Sequence, residues 1–190
     1  MDAEHRDSNS PSSLVEGLKH LARDVAEREG CQLYDLEFLD GRTRFLRVYI
    51  TRPNGGVGID DCANVSRGLN LRLDVEDLIQ GGAYDLEVST PGLERHLKET
   101  WHFEQEIGET IKVKLSEPLT PPSTAPKGFG PIRQLQGVLK AASDKDLVVE
   151  QEGFEWQVPR SLITKANKVF VTEKQNKLSP SKGKKKSKKR

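Results

Sequence analysis

From Leu14 to Ala26 the apolar side chains recur at helical spacing: Leu14, Leu18, Leu21, Ala22, Val25 and Ala26 form one stripe. Ser13-Leu14-Val15-Glu16 reads as a capping box opening this helix, and Gly30 reads as its stop. The period then changes to two. Tyr34, Leu36 and Phe38 alternate with Asp35, Glu37 and Leu39, Asp40-Gly41 signals a hairpin turn, and Leu46, Val48 and Ile50 alternate with Phe45, Arg47 and Tyr49. Acids on the first strand and Arg44 and Arg47 on the second are expected to pair across the outer face, each pair contributing about 0.2–1 kcal/mol. Past the loop Arg52-Pro53-Asn54-Gly55-Gly56, Cys62, Val65, Ser66, Leu69 and Leu73 line one side of a second helix capped by Asp60 or Asp61. Gly68 weakens that helix by about 1 kcal/mol relative to Ala. Asp74, Glu76 and Asp77 oppose the helix dipole, so the helix is expected to stop near Arg72.

A third strand follows, with Tyr84, Leu86 and Val88 on the dry side and Asp85, Glu87 and Ser89 on the wet side. Pro91-Gly92 suits a type II turn, and Leu93 and Leu97, four apart, suit a short helical turn with both on one surface. The order helix–strand–strand–helix–strand predicts a three-stranded sheet with both helices on one face. Beyond Leu97 the pattern becomes short strands with turn signals. Trp101-His102-Phe103 opens this part, and Ile111, Val113 and Leu115 alternate with Lys112 and Lys114. Glu117 to Pro131 is a long Pro-rich loop, in which Phe129 reads as a packing aromatic. Strands are expected over Leu135–Ala142 and Leu147–Glu150, joined by the turn Ser143-Asp144-Lys145-Asp146, then at Phe154, Trp156 and Val158. A helical turn is expected at Ser161–Lys165 and a last strand at Lys168–Thr172. Five short strands suggest a small SH3-like or Sm-like barrel. The expected fold class is therefore α+β, with a disordered N-terminus at 1–12, an α/β domain at 13–97, a barrel domain at 98–173 and a disordered Lys-rich tail at 174–190.

Charge adds a second layer to this picture. The net charge of +1 over 190 residues conceals a split, because Lys182 to Arg190 holds six Lys and one Arg and no acid. The other 181 residues carry 23 basic and 29 acidic side chains, a net −6. An acidic body fits a basic protein partner, and a lysine run fits nucleic acid, where seven cations on a single strand give a salt slope of about −5. No apolar run reaches the roughly 20 residues of a membrane span, and Met1 to Pro11 has no apolar core like that of a signal peptide. Cys31 and Cys62 form no CxxC pair and read as small buried thiols in a reducing cytosol, so a cytoplasmic protein without metal or cofactor is expected. His96 and His102 come without a nucleophile or metal motif, and the acidic trio at Asp74, Glu76 and Asp77 has no further ligand motif beside it. Binding, not catalysis, is the expected class.

The run Leu86-Glu87-Val88-Ser89-Thr90-Pro91-Gly92-Leu93-Glu94-Arg95 resembles the signature of the ribosome maturation factor RimP family, roughly Leu-Glu-Val-Ser-Ser-Pro-Gly-Leu-Asp-Arg. Thr90 and Glu94 are mild replacements, and His96 stands where the family often has Pro. Gly108, the strand Ile111 to Leu115, Gly137-Val138-Leu139, Val158-Pro159 and Ile163-Thr164-Lys165-Ala166 are similar to the family's C-terminal domain, so the likeness runs from about Leu14 to Val171. The Pro-rich loop is longer than is usual there. The resemblance implies a non-enzymatic factor that assists maturation of the small ribosomal subunit and contacts a basic ribosomal protein near the decoding region. Ser89, Thr90, Pro91, Gly92, Leu93 and Arg95 are then candidates for partner contact. Lys112, Lys114, Arg160 and Lys165 on the barrel, with Lys184, Lys185, Lys186, Lys188, Lys189 and Arg190 in the tail, are candidates for rRNA contact. A monomer is expected. The alternatives are a stand-alone Sm-like RNA-binding protein with a basic tail, and a tail that folds back on the acidic body.

Overall fold

In a computed structural model of the chain, residues 11–53, 56–126 and 128–170 are described. They divide into two compact units between Gly92 and Leu93. The first holds α1 (Pro11–Arg28), β1 (Gln32–Asp40), β2 (Arg44–Thr51), α2 (Ile59–Glu76) and β3 (Asp85–Ser89). The second holds α3 (Thr100–Glu104), β4 (Thr110–Leu119), β5 (Ile132–Ala142), β6 (Asp146–Gln151), β7 (Phe154–Pro159), a 3-10 turn at Arg160–Leu162 and β8 (Ile163–Lys168). No helix among the described residues is long and apolar enough to cross a membrane.

In the first unit the stripe of α1 is buried as its spacing requires, with Leu18, Leu21, Ala22, Val25 and Ala26 all in the core. The helix opens at Pro11, so Ser13 lies inside it rather than at the cap. Its end is a left-handed exit: Gly30 has φ 69°, its N–H donates to Glu27 O at 3.0 Å, and Cys31 N donates to Ala26 O at 2.8 Å. The hairpin β1–β2 forms with a three-residue connection at 41–43. On its outer face Arg47 reaches Glu37 at 3.9 Å and Glu87 at 2.9 Å, whereas Arg44, on the side of Leu46 and Val48, pairs with Asp40 at 2.8 Å and lies over the Phe38 ring instead of the outer face expected.

β3 lies against β2 in parallel, Leu46 beside Leu86 and Val48 beside Val88, which makes β2 the middle strand of the order β1-β2-β3. A parallel neighbour needs a crossover, and α2 supplies it. The helix starts after Gly58, whose N–H donates to Asp61 Oδ2 at 2.8 Å, so Asp61 acts from the third helical position and not as the cap itself. It continues past the expected stop at Arg72 to Glu76, because Leu73 needs that turn to reach the core and Arg72 pairs one turn on with Glu76. Gly68 also acquires a reason. A Cβ there would sit 2.8 Å from Val25 Cγ1, so the glycine lets α1 and α2 approach closely.

The second unit begins five residues earlier than the expected junction after Leu97. The segment 95–97 lies along β8: Leu97 N donates to Ala166 O at 3.0 Å, Lys168 N donates to Arg95 O at 2.9 Å, and Leu97 is buried in the second core. Leu93 stays 67% exposed, so Leu93 and Leu97 do not share the surface that a helical turn would give them. Gly92 has no positive φ, which rules out the type II turn with Gly92 in its left-handed position. The last strand, β8, falls where a helical turn was expected at Ser161–Lys165, and only its 3-10 lead-in is helical.

The five strands form an open ladder, β7-β6-β5-β4-β8, and not the closed barrel expected. Among the described residues no strand pairing joins β7 to β8. The sheet is nonetheless strongly curled. A flat five-stranded sheet separates its edge strands by about 19 Å, whereas the four residue steps from Pro159 to Ile163 span at most about 14 Å. The hollow face encloses Ile111, Val113, Leu135, Leu139, Leu147, Trp156 and Phe103. Phe129 packs edge-on against Phe154 with ring centroids 5.2 Å apart, as an ordinary core aromatic. At Gly137 a Cβ would lie 2.1 Å from Glu150 O, so only glycine lets β5 and β6 close there.

Gly68→Ala is expected to destabilise the first unit by about 1–3 kcal/mol despite alanine's higher helix propensity. Adding Val25→Ala should cost less than the two single effects summed. A urea double-mutant cycle measures this; additive effects would show that the close helix approach is not what the glycine serves.

Candidate functional site

The organising cluster of the second unit is a buried carboxylate. Glu106, just past α3, is only 1% exposed, and a lone charge there would be costly. It is answered from two sides. Arg95 Nε donates to Glu106 Oε1 at 2.7 Å and its Nη2 donates to the same oxygen, while Lys168 Nζ donates to Oε2 at 2.7 Å. Lys168 also lies 3.5 Å from Glu109. Arg95, a candidate for partner contact, is thus an internal clamp that holds the start of the unit to the end of β8. Beside it, Asn167 Nδ2 donates to Glu94 O at 3.3 Å and meets His96 Nδ1 at 3.0 Å.

The other candidates for partner contact fall in different surroundings. Ser89 ends β3 and is half-buried beside Tyr49. Thr90 and Gly92 are exposed, Pro91 is half-buried, and Leu93 stands out into solvent. A Cβ at Gly92 would meet nothing within 4 Å. This short run therefore offers an accessible surface without an internal packing duty at Gly92 or Leu93.

Of the candidates for nucleic-acid contact, three converge. Lys112 and Lys114 point away from the core side of β4, and Lys165 on β8 lies directly opposite Lys114 in register. Lys112 is flanked by Gln136 on β5 and Asn167 on β8, and Lys114 by Gln134 and Lys165. These three lysines, with Gln136, Asn167, Lys168 and Glu94, line a shallow depression. Among the described residues no ion pair involves Lys112, Lys114 or Lys165, although Lys140 on the same sheet pairs with Glu150 at 2.6 Å. Two lysines opposed across a ladder repel each other, which makes this face electrostatically unsatisfied.

Arg160 does not join that row as a free cation. Its Nη2 donates to Lys98 O at 2.9 Å and its guanidinium lies 4.4 Å from the centroid of the Phe103 ring. It braces the 3-10 turn over α3. Lys184, Lys185, Lys186, Lys188, Lys189 and Arg190 lie outside the described residues, as do the whole tail expected to be disordered at 174–190 and residues 1–10 of the N-terminus expected to be disordered at 1–12, whereas Pro11 and Ser12 open α1.

The histidines have structural partners. His102 is buried, and its Nδ1 accepts from Lys98 N at 3.1 Å and Glu99 N at 3.2 Å, taking up donors at the start of α3. Cys31 and Cys62 are both free thiols, and burial, then Asp61 and Cys31, push the Cys62 thiol above its ordinary value, away from the reactive thiolate. The charge split resolves into units. Residues 11–92 carry 9 basic and 14 acidic side chains, a net −5, whereas 93–170 carry 11 of each. The acidity expected of the whole body therefore belongs to the first unit.

Glu106 is the functional-site residue that sequence patterning misses, since a lone Glu between short elements carries no periodic signal. Glu106→Gln is expected to cost about 3–5 kcal/mol by leaving Arg95 and Lys168 uncompensated, read as a lower unfolding midpoint of the second unit. Leu93→Ala should stay within about 0.5 kcal/mol of the parent, so an equal loss in both variants would disprove the clamp.

A comparison with known families now meets this geometry. The family model described as the RimP N-terminal domain matches residues 21–94, which covers 74 of the 190 residues. The match begins within the buried stripe of α1, takes in the whole β1-β2-α2-β3 core and closes on the exposed run after β3. Over those residues the chain is similar to the RimP N-terminal domain, and residues 95–190 lie outside the match.

Proposed function

We propose that the protein assists assembly of the small (30S) ribosomal subunit, binding an immature form of it through both a basic ribosomal protein and rRNA. The observation that carries this reading is the RimP N-terminal domain at residues 21–94. The separation of charge supports the division of labour. A first unit of net −5 favours encounter with a basic protein, and its closing run Ser89, Thr90, Pro91 and Gly92, with Thr90 and Gly92 exposed, offers the docking surface. The second unit, neutral overall, sets Lys112, Lys114 and Lys165 on one face for rRNA. The curled five-stranded sheet, with a 3-10 turn before its last strand, supports reading this unit as an SH3-like module. The protein acts as a monomer in the cytoplasm, without catalysis, and biases assembly through stronger affinity for the immature form.

The test is association of the full chain with purified immature and mature small subunits across a salt series. A tighter complex with the immature subunit is expected, by tenfold or more for each 1.4 kcal/mol of bias. Equal affinity for the two would end the maturation reading. Free RNA bound as tightly as immature subunits would instead favour the stand-alone RNA-binding alternative.

A further inference from the structure

The face shared by β4 and β8 carries an observation that goes beyond a general affinity for rRNA. Its charged row is Lys112, Lys114 and Lys165, two of them opposed in register, and the amides Gln134, Gln136 and Asn167 flank these lysines across the ladder. No aromatic stands in this set. The aromatics of the second unit are mostly turned elsewhere: Phe103, Phe154 and Trp156 are buried, Phe129 packs on Phe154, and Trp101 lies edge-on to His102. Phe170, which is half exposed, lines the neighbouring groove with Leu93, Arg95 and Glu109, on the other side of Lys168. The one carboxylate at the depression is Glu94, whose residue is exposed at the rim.

Single-stranded RNA is held mainly by stacking its bases on aromatic platforms, with the backbone tracked by cations. A double-stranded stem hides its bases and presents phosphates and 2′-hydroxyls, which need cations and neutral hydrogen-bonding groups. Lys112 and Lys114 are two residues apart on one strand, so they project side by side at about 6.5–7 Å. Lys165 sits across the ladder from Lys114 at about 5 Å. That is a compact triangle of cations edged by amides. We propose that this face recognises the sugar–phosphate backbone of double-stranded RNA, with Lys112, Lys114 and Lys165 on phosphates and Gln134 and Gln136 on the hydroxyl-rich groove. Asn167 is held by Glu94 O and His96 and serves as the fixed edge of the site. The proposal rests on the rRNA contact proposed above and specifies the form of RNA taken.

The repulsion between Lys114 and Lys165 gives the test its discriminating arm. Lys114→Glu sets opposite charges across the ladder, so it should raise the Tm of the second unit by about 1–5 °C while weakening RNA binding. A residue serving only the fold would not move the two readouts in opposite directions. Full-length protein is titrated by fluorescence anisotropy with an RNA hairpin stem of 16 base pairs and with an unstructured RNA of equal charge. Lys112→Gln/Lys114→Gln/Lys165→Gln is measured beside it. The parent is expected to prefer the stem at least fivefold. The triple variant should lose that preference, and its salt slope on the stem should fall by about 2–3, one phosphate for each lysine. An unchanged slope, or a preference for the unstructured strand, would overturn the proposal. Subunit association of the triple variant separates the two levels. If the parent binds immature subunits selectively but shows no stem preference, only the present inference fails. If the parent binds no subunit, the reading of its function fails whatever the hairpin shows.

Discussion

A carboxylate with almost no solvent contact sets the terms for the second unit. Glu106 must be neutralised where it lies, and the two cations that do so come from opposite ends of the unit, Arg95 at its entry and Lys168 at the end of β8. Drawing them together lays residues 95–97 along the outer edge of β8, which buries Leu97 and satisfies edge groups that would otherwise face water. The position of the unit boundary follows from this. A chain tied at Arg95 to the second core can leave the first only before that point, and it does so between Gly92 and Leu93.

The same clamp sorts the cations of the sheet. Arg95 and Lys168 are held by acids, Lys140 by Glu150, and Arg160 by the carbonyl of Lys98 and the Phe103 ring. Without a counter-charge among the ion pairs described are Arg133, which donates to Ser116 O, and the β4–β8 row. An unpaired cation on a surface is ordinary; two opposed in register, on a sheet that pairs its other lysines, repel each other across the ladder, which is the ground for the RNA contact proposed above. The first unit has the reverse character, with its outer arginines engaged by Asp40, Glu37, Glu87, Asp61 and Glu76 and acids left in excess. The two units thus differ in charge, the first at net −5 and the second neutral overall.

Much of this was legible from the order of residues, and the parts that were not share a cause. Repeating patterns report burial directly, so the stripe of α1, the alternation of β2 and the alternation at Phe154, Trp156 and Val158 all lie in the cores where their periods put them. Pairwise events between distant residues leave no period. The parallel partner of β3, the approach of α1 to α2 at Gly68 and the contact of Gly137 with Glu150 O each need two segments to be seen at once. Helix ends were misplaced for a related reason: α2 runs on to Glu76 because burial of Leu73 and the Arg72–Glu76 pair outweigh carboxylates set against the dipole, each worth only about 0.3–1 kcal/mol. Among the candidate sites, Lys112, Lys114 and Lys165 share one face, whereas Arg95 and Arg160 have partners within the second unit, which charge alone does not reveal.

The form of binding that such a surface gives also suits a factor that must leave. Contacts made by lysine to phosphate are screened by salt and lost one by one, so three of them on one face hold a partner loosely and release it without a large barrier. Stacked aromatics would each add about 1–3 kcal/mol that a change in RNA shape need not remove. With most of its aromatics packed inside, Phe170 apart, the contact proposed for the second unit would depend on several cations meeting phosphates in one spatial arrangement, and a stem that moved by a few ångströms would break that match. Affinity then falls when the RNA folds further. Selectivity for an unfinished partner needs nothing more than that geometric dependence, provided the first unit keeps the chain close enough for the match to be tested.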